Sequence, residues 1–493
     1  MRIEPYLALL ILSLPSCVGG NGGPPVDDDD DDSVLDDDDS TSGDDDDSAG
    51  DDDDSAGDDD DDSAGDDGLY RPDNGPSHEG GTVVEVSSED AILLAIASAS
   101  PGDVITVNPG EYNFNQRIDV QQDGEDSARI FLRAEQLGTV TFNLSHIENF
   151  KVNGAFWVFE NIVFLGVCTD NSGCEHAFHL VGDADDTIIR NSEIVNFASH
   201  VKLNGEVLGA GPAKSFPDRA MFIDNFWHNT RYLSHSAPHN ILNLDGGKGH
   251  IVRGNLFADY SAPSNVPRSA SAVYPKASAL QILIEQNLIV CERVRTDGET
   301  TRGIHLGDGA PATICDGDVD GDGLGDCDEN GQSQEALVRN NIMMNCNNGG
   351  SSAGIMVASD RGSRVYHNTV YNTGQRNAGF FVGDPAHSTY WRYNVLENGF
   401  NTNYAEGVLD AEDNIAPSFE TMNTTFTEAI SGDFSLLDGG SLQEQVPTDS
   451  EATHDFCGYP RGATADLGAI EYSTPFSGSP CVEQVQQMFD RIP

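Results

Sequence analysis

An asparagine recurs through the middle of this chain in one fixed setting. Two apolar residues precede it by two or three positions, and apolar residues follow it. The units read Trp157-Val158-Phe159-Glu160-Asn161-Ile162, Ile188-Ile189-Arg190-Asn191, Met221-Phe222-Ile223-Asp224-Asn225-Phe226 and Ile251-Val252-Arg253-Gly254-Asn255-Leu256. They continue as Leu283-Ile284-Glu285-Gln286-Asn287-Leu288, Leu337-Val338-Arg339-Asn340-Asn341-Ile342, Val365-Tyr366-His367-Asn368-Thr369 and Tyr390-Trp391-Arg392-Tyr393-Asn394-Val395. The spacings between the asparagines are 30, 34, 30, 32, 54, 27 and 26 residues. Short β-branched and aromatic runs between Gly, Asn and Asp turns read as strands. No helical pattern lies between them, which excludes a sheet built from alternating strands and helices. A coil of two or three short strands cannot bury its own apolar face, whereas stacked coils can. A turn Asn at one place in every coil can then stack as a hydrogen-bonded ladder.

Both ends of the repeat carry caps. Ser87-Ser88-Glu89-Asp90 precedes Ala91-Ile92-Leu93-Leu94-Ala95-Ile96-Ala97, a helix start with Ser87 and Asp90 spaced as a capping box. At the far end stand Gly458-Tyr459-Pro460-Arg461 and Asp466-Leu467-Gly468-Ala469-Ile470-Glu471-Tyr472. Together with the repeat, these segments resemble the single-stranded, right-handed parallel β-helix of the pectin-lyase-like superfamily, over about residues 80–475. The resemblance implies an all-β solenoid with an N-terminal capping helix. We place this domain at 69–480 and a C-terminal tail at 481–493. The same fold hosts lyases, hydrolases, adhesins and inert surface proteins, so it leaves function open. His239 to Asn394 is also similar to uncharacterised exported β-helix proteins of proteobacteria, which carry Lys-Gly-x-Ser before a Glu-Arg-Asn-Leu strand. Lys276 to Leu288 is a variant of that element.

The start of the chain reads as an address. Arg2 precedes a short apolar run from Tyr6 to Leu14. A membrane helix needs ~20 residues, so residues 1–16 read as an export signal. Leu14-Pro15-Ser16-Cys17 resembles a bacterial lipobox, which implies lipidation at Cys17 and a place at the cell envelope, on the outer membrane or cell surface. Residues 17–68 form an Asp-rich linker. Between 27 and 67 it holds 25 Asp and no Lys, Arg or Glu. Like charges repel and the apolar pair Val34-Leu35 is too little to seed a core, so an extended, disordered spacer is expected. The whole chain carries a net charge of −58, and −33 remains without the tract. That balance excludes nucleic acid as a partner. It also disfavours a polyanionic ligand unless a local basic patch or bound Ca²⁺ offsets it. We expect a monomer that touches membrane only through its lipid.

Beyond Cys17 there are eight further cysteines, an even number that suits an oxidising compartment. Proximity or equivalent place in the repeat suggests the pairs Cys168–Cys174, Cys291–Cys346, Cys315–Cys327 and Cys457–Cys481. The long 54-residue spacing holds an insertion at 315–331 with the sequence Asp318-Val319-Asp320-Gly321-Asp322-Gly323-Leu324-Gly325-Asp326-Cys327-Asp328-Glu329. Its spacing matches a twelve-position Ca²⁺ loop. Asp318, Asp320, Asp322, the Leu324 carbonyl, Asp326 and Glu329 are the expected ligands. No flanking helices are evident, and the loop resembles a thrombospondin type 3 or dockerin-like repeat.

Strand alternation identifies outward residues. Aligning Phe178-His179-Leu180, Leu242-Asn243-Leu244, Tyr274-Pro275-Lys276 and Ile355-Met356-Val357, with Ile304-His305-Leu306 joining them, turns His179, Asn243 and His305 outward. Asp245 and Lys276 lie nearby, and Lys248 and Arg302 lie in adjoining turns. Two functions fit. One is a surface structural or polysaccharide-binding protein without catalysis, using His179, Asn243, Asp245 and Lys248. The other is a polysaccharide lyase. Eliminating a uronic acid needs a cation at the carboxylate, a base and a proton donor. By resemblance to chondroitinase B-like alginate lyases, Lys276 would be the base; Arg302, which precedes Gly303-Ile304-His305, and His305 are further catalytic candidates, although the Arg-His pairing of that family is missing here. In that family a Lys-Ser follows a pair of calcium-binding Glu. Here the run is Lys276-Ala277-Ser278, and Ser269 and Ser271 stand at the Glu positions. The readings separate on geometry, because a lyase needs Lys276, His305 and a cation in one groove.

Overall fold

The structure, a computed structural model, describes residues 75–169, 173–207, 214–231, 239–261, 269–277, 279–293, 301–307, 333–346, 352–358, 360–373, 377–383, 388–405, 408–437, 442–443, 445–472 and 480–493. The export signal 1–16, Cys17, the linker 17–68, and the calcium loop with Cys315 and Cys327 lie outside these residues.

Each coil passes through three sheets in turn. The first sheet has 14 strands, and the second and third have 10 each. Every strand pairs in parallel with its equivalents in the neighbouring coils, as when Ile188 pairs with both Val158 and Met221. This is the parallel β-helix expected from the asparagine period. The core fills the bore of the helix. Along the inner side of the third sheet, Phe150, Phe178, Val201, Leu242, Val273, Ile304 and Ile355 succeed one another, all 0% exposed. Each such side chain contributes about 1.5–3 kcal/mol by leaving water.

The asparagine ladder closes the turn between the first and second sheets. The backbone N–H of Asn225 donates to Oδ1 of Asn255 at 3.0 Å, and Asn255 does the same to Asn287 at 3.0 Å. The series continues through Asn341, Asn368 and Asn394 to Asn414, which the repeat alignment had not included. Two assignments shift. Ser192, not Asn191, is the residue whose N–H meets Asn225 Oδ1. Asn161 and Asn191 sit one position earlier, at φ 64° and 43°, a left-handed place that Asn tolerates better than most residues. They form their own exposed pair at 2.6 Å.

The caps follow from amphipathic segments. The helix Glu89–Ala97 buries Ile92 and Ile96 over the first coil. Its cap is Ser88 rather than Ser87, and the Ser88 hydroxyl accepts from Ala91 N–H at 3.3 Å. The outer side of the second sheet turns apolar in its later coils, with Phe226, Leu256, Leu288 and Ile342 in one row. The expected tail forms the helix Pro480–Asp490, whose Val482, Val485 and Phe489 cover that row. Cys457–Cys481 ties the start of this helix to the body, and Cys168–Cys174 and Cys291–Cys346 pair as expected.

Candidate functional site

The outer side of the third sheet assembles the residues of interest. Its strands Glu148–Val152, His176–Val181, Val201–Asn204, His239–Asp245, Ala270–Lys276, Thr301–Leu306 and Ala353–Ala358 are neighbours in that order. Register aligns Lys151, His179, Lys202, Asn243 and Tyr274 in one row. Val273 pairs with Ile304 and His305 with Met356, so the row passes on through His305 to Met356. This corrects the sequence alignment by one residue on one strand. Val273 points inward as the partner of Leu242, so Tyr274, not Pro275, stands between Asn243 and His305. Lys276 is consequently level with Asp245.

Five side chains from three strands meet here. The Tyr274 and His305 rings stack at 4.3 Å between centroids and 5° between planes. The Lys276 ammonium lies 5.2 Å from the Tyr274 ring centroid, within cation–π range. It also lies 3.2 Å from Oδ1 of Asp245. Arg302, three residues before His305, is partly exposed and reaches the His305 ring. Its guanidinium donates to Nδ1 of His305 at 3.2 Å.

That bond fixes the tautomer. A guanidinium has no acceptor, so Nδ1 must accept. The neutral ring then carries its proton on Nε2. Burial, with Arg302 and Lys276 adding to it, holds His305 well below the ordinary histidine pKa of 6.5. The ring is 5% exposed, and Nε2 has no hydrogen-bond partner among the described residues. His305 is therefore a neutral donor, with its basic nitrogen already taken. Lys276 Nζ lies beside the Asp245 carboxylate on the neighbouring strand. The cluster thus presents the donors of Arg302, Lys276 and His305 Nε2, with the Asp245 carboxylate beside Lys276.

The other expected residues spread along the same sheet. His179 contacts Asn204 through Nε2 at 2.6 Å and Glu148 through Nδ1 at 3.0 Å. Asn243 lies in the row directly beside Tyr274. Lys248 stays in the turn that leaves the sheet, where its backbone N–H donates to Asp218 at 2.8 Å. Ser271 is level with Arg302 and fully buried. The alignment missed Tyr274, Lys202 and Lys151. Tyr274 was legible, since a β-branched Val273 flanked by Ala272 and Tyr274 is the better inward residue. Elsewhere, a cavity of 570 Å³ lies under the C-terminal helix, lined in part by Glu292, Arg293, Asn345 and Gln486. None of the expected site residues reaches it, and the third-sheet cluster is the stronger candidate on chemistry. Among the described residues no group of three or more His, Cys, Asp or Glu is placed to hold a metal ion, and no helix is long and apolar enough to cross a membrane.

No protein-family model matches the chain, and no curated protein matches it. Solved structures share the architecture. The pectate lyase Pel9A is 14% identical over 77% of this chain and 90% of its own, with a TM-score of 0.42. An alginate lyase from Paenibacillus sp. str. FPU-7 is 16% identical over 68% of this chain and 99% of its own, with a TM-score of 0.38. The GH136 lacto-N-biosidase from Eubacterium ramulus is 11% identical over 68% of each chain, also at 0.38. Likeness at this level concerns the fold, and the chemistry rests on the residues above.

Proposed function

We propose that this protein is a carbohydrate-binding β-helix of the bacterial cell envelope, and that it holds its glycan on the outer side of the third sheet without cleaving it. The observation that supports this reading is the gathering of hydrogen-bonding side chains at one place, with Arg302 bound to Nδ1 of His305 at 3.2 Å and Lys276 Nζ at 3.2 Å from Asp245. Such a set is suited to holding a sugar: a guanidinium, an ammonium, an imidazole N–H and the Asn243 amide. The lipid on Cys17 and the Asp-rich spacer would carry the domain away from the membrane. Ca²⁺ held by the carboxylates of 318–329 would order the insertion. Carboxylates this dense repel one another without a cation.

The test is glycan retention by the full chain in Ca²⁺, compared with Arg302→Ala and His305→Ala. Arg302→Ala should lose binding by about tenfold, the loss of one charge-assisted hydrogen bond, and His305→Ala should lose several-fold, the loss of a neutral one. Binding that survives both variants unchanged would move the site elsewhere.

A second reading, a uronic-acid lyase, is favoured by the gathering of Lys276, Arg302 and His305 at one place. It would require Lys276 to give up its proton and leave Asp245 before it could act as the base.

A further inference from the structure

The first sheet carries an apolar row on its outer side. Register runs it from Val104 through Phe131 and Val158 to Ile188, and on through Met221, Ile251 and Leu283 to Leu337. The residue after each, such as Phe159, Ile189 or Val252, fills the bore, so alternation puts this row outside. The two halves of the row differ. Val104, Phe131, Val158 and Ile188 are 1%, 3%, 0% and 0% exposed. Met221, Ile251, Leu283 and Leu337 are partly exposed.

The chain itself covers the first half. Residues 75–81 cross the outer side of the sheet before the strand Thr82–Val86 begins. A Cβ on Gly81 would meet Val104 at 2.5 Å. The His78 ring lies 6.0 Å from that of Phe131, and its Nδ1 lies 3.6 Å from Glu160. The Arg190 guanidinium donates to the Pro76 carbonyl at 3.0 Å. Gly75, at φ 85°, lies so close to Ile188 that a Cβ would come within 2.7 Å of it. From Gly81 back to Gly75 the segment therefore crosses from the strand of Val104 to that of Ile188, three strands further along the sheet, at two residues per strand. The described residues begin at Gly75, where the exposed half of the row begins.

The preceding sequence suits that second half. Leu69-Tyr70-Arg71-Pro72-Asp73-Asn74 joins the acidic tract to Gly75, and Leu69 and Tyr70 are the only large apolar residues between Leu35 and Val83. At two residues per strand, Tyr70 falls between Ile251 and Leu283, and Leu69 falls on Leu283. Fully extended, six residues span ~20 Å at ~3.3 Å each, about four strand spacings, which reaches Leu337.

We propose that residues 69–74 continue along this row and seat Leu69 and Tyr70 on Ile251, Leu283 and Leu337. Their burial takes the exposed half of the row out of water. Gly68, the last residue of the linker, is then held beside the middle coils and not beside the capping helix Glu89–Ala97. The inference is independent of the carbohydrate reading, which concerns another sheet.

The test places a photoreactive side chain at residue 70 of the full chain, as Tyr70→p-benzoylphenylalanine. The protein is irradiated and the attached peptide is mapped by mass spectrometry. The expected product is a cross-link within one chain to the strands Ile251–Arg253, Leu283–Glu285 or Leu337–Arg339, with a yield that holds on dilution. Leu69→Ser, which lies outside every described strand and leaves the solenoid intact, should lower that yield several-fold. Ile251→Ser combined with Leu283→Ser should do the same. Cross-links scattered over the acidic tract or over other faces, or a yield that neither set of changes alters, would overturn the inference. A cross-link that fades on dilution would give the row to a second copy of the chain and would also overturn it.

Discussion

The guanidinium of Arg302 donates to Nδ1 of His305 across 3.2 Å, and that single bond decides which proton the imidazole keeps. Arg302→Ala removes the donor and one of the two cations that disfavour an imidazolium. The His305 pKa should rise but stay below 6.5, because burial is the larger cause and remains. Imidazole resonances followed through a pH titration check this. A wild-type ring that titrates like an exposed histidine would contradict the tautomer argument.

The asparagine ladder should be costly to interrupt. Asn287 Oδ1 accepts from both the backbone and the side chain of Asn255, and its own amide reaches Val252 and Glu285 carbonyls. Asn287→Ala leaves those buried groups without partners at about 1–3 kcal/mol each. Chemical denaturation should show a loss of that order or more. Asn191→Ala, in the exposed pair, should cost far less.

The C-terminal helix is expected to be a structural cover and not a tail. Phe489→Ala removes a buried ring from the face formed by Phe226, Leu256 and Leu288, and should cost about 3–5 kcal/mol. Opening Cys457–Cys481, which spans 24 residues, should cost about 3 kcal/mol, measured as the shift in denaturation midpoint for the double Cys→Ser variant.

Stability should fall with rising pH through two buried acids. Burial raises Asp360 to about 7 and Glu397 to about 7. Below about pH 4 both acids are protonated in the folded and unfolded chains, so neither affects stability. Between there and about 7 the unfolded chain releases protons that the folded chain keeps, so folding becomes less favourable as pH rises. Glu397→Gln should therefore match wild type near pH 4 and exceed it at pH 8. Equal pH profiles for the two would show that Glu397 is not buried as a neutral acid.

The fold was legible because the ladder repeats one residue type at one turn, so period alone exposed the coils. Its first two members were misplaced by one residue. Asn161 and Asn191 satisfy the sequence pattern while occupying the left-handed position beside the ladder, and Ser192 substitutes for the ladder residue itself. The site was half legible. Lys276, Arg302 and His305 were named, and the structure brings them together. Tyr274 was missed because the Pro275 peptide was aligned with Asn243, a slip that exchanges inward for outward along a strand. Arg302 was placed in an adjoining turn, whereas it lies within the strand Thr301–Leu306.

The central claim is that this face binds a glycan and does not cut it. The direct measurement is ultraviolet absorbance of the unsaturated product when the full chain, with Ca²⁺, is incubated with alginate, pectate and chondroitin under conditions where binding is saturated. The account predicts no rise. A rise that Lys276→Ala abolishes would contradict it and establish a lyase.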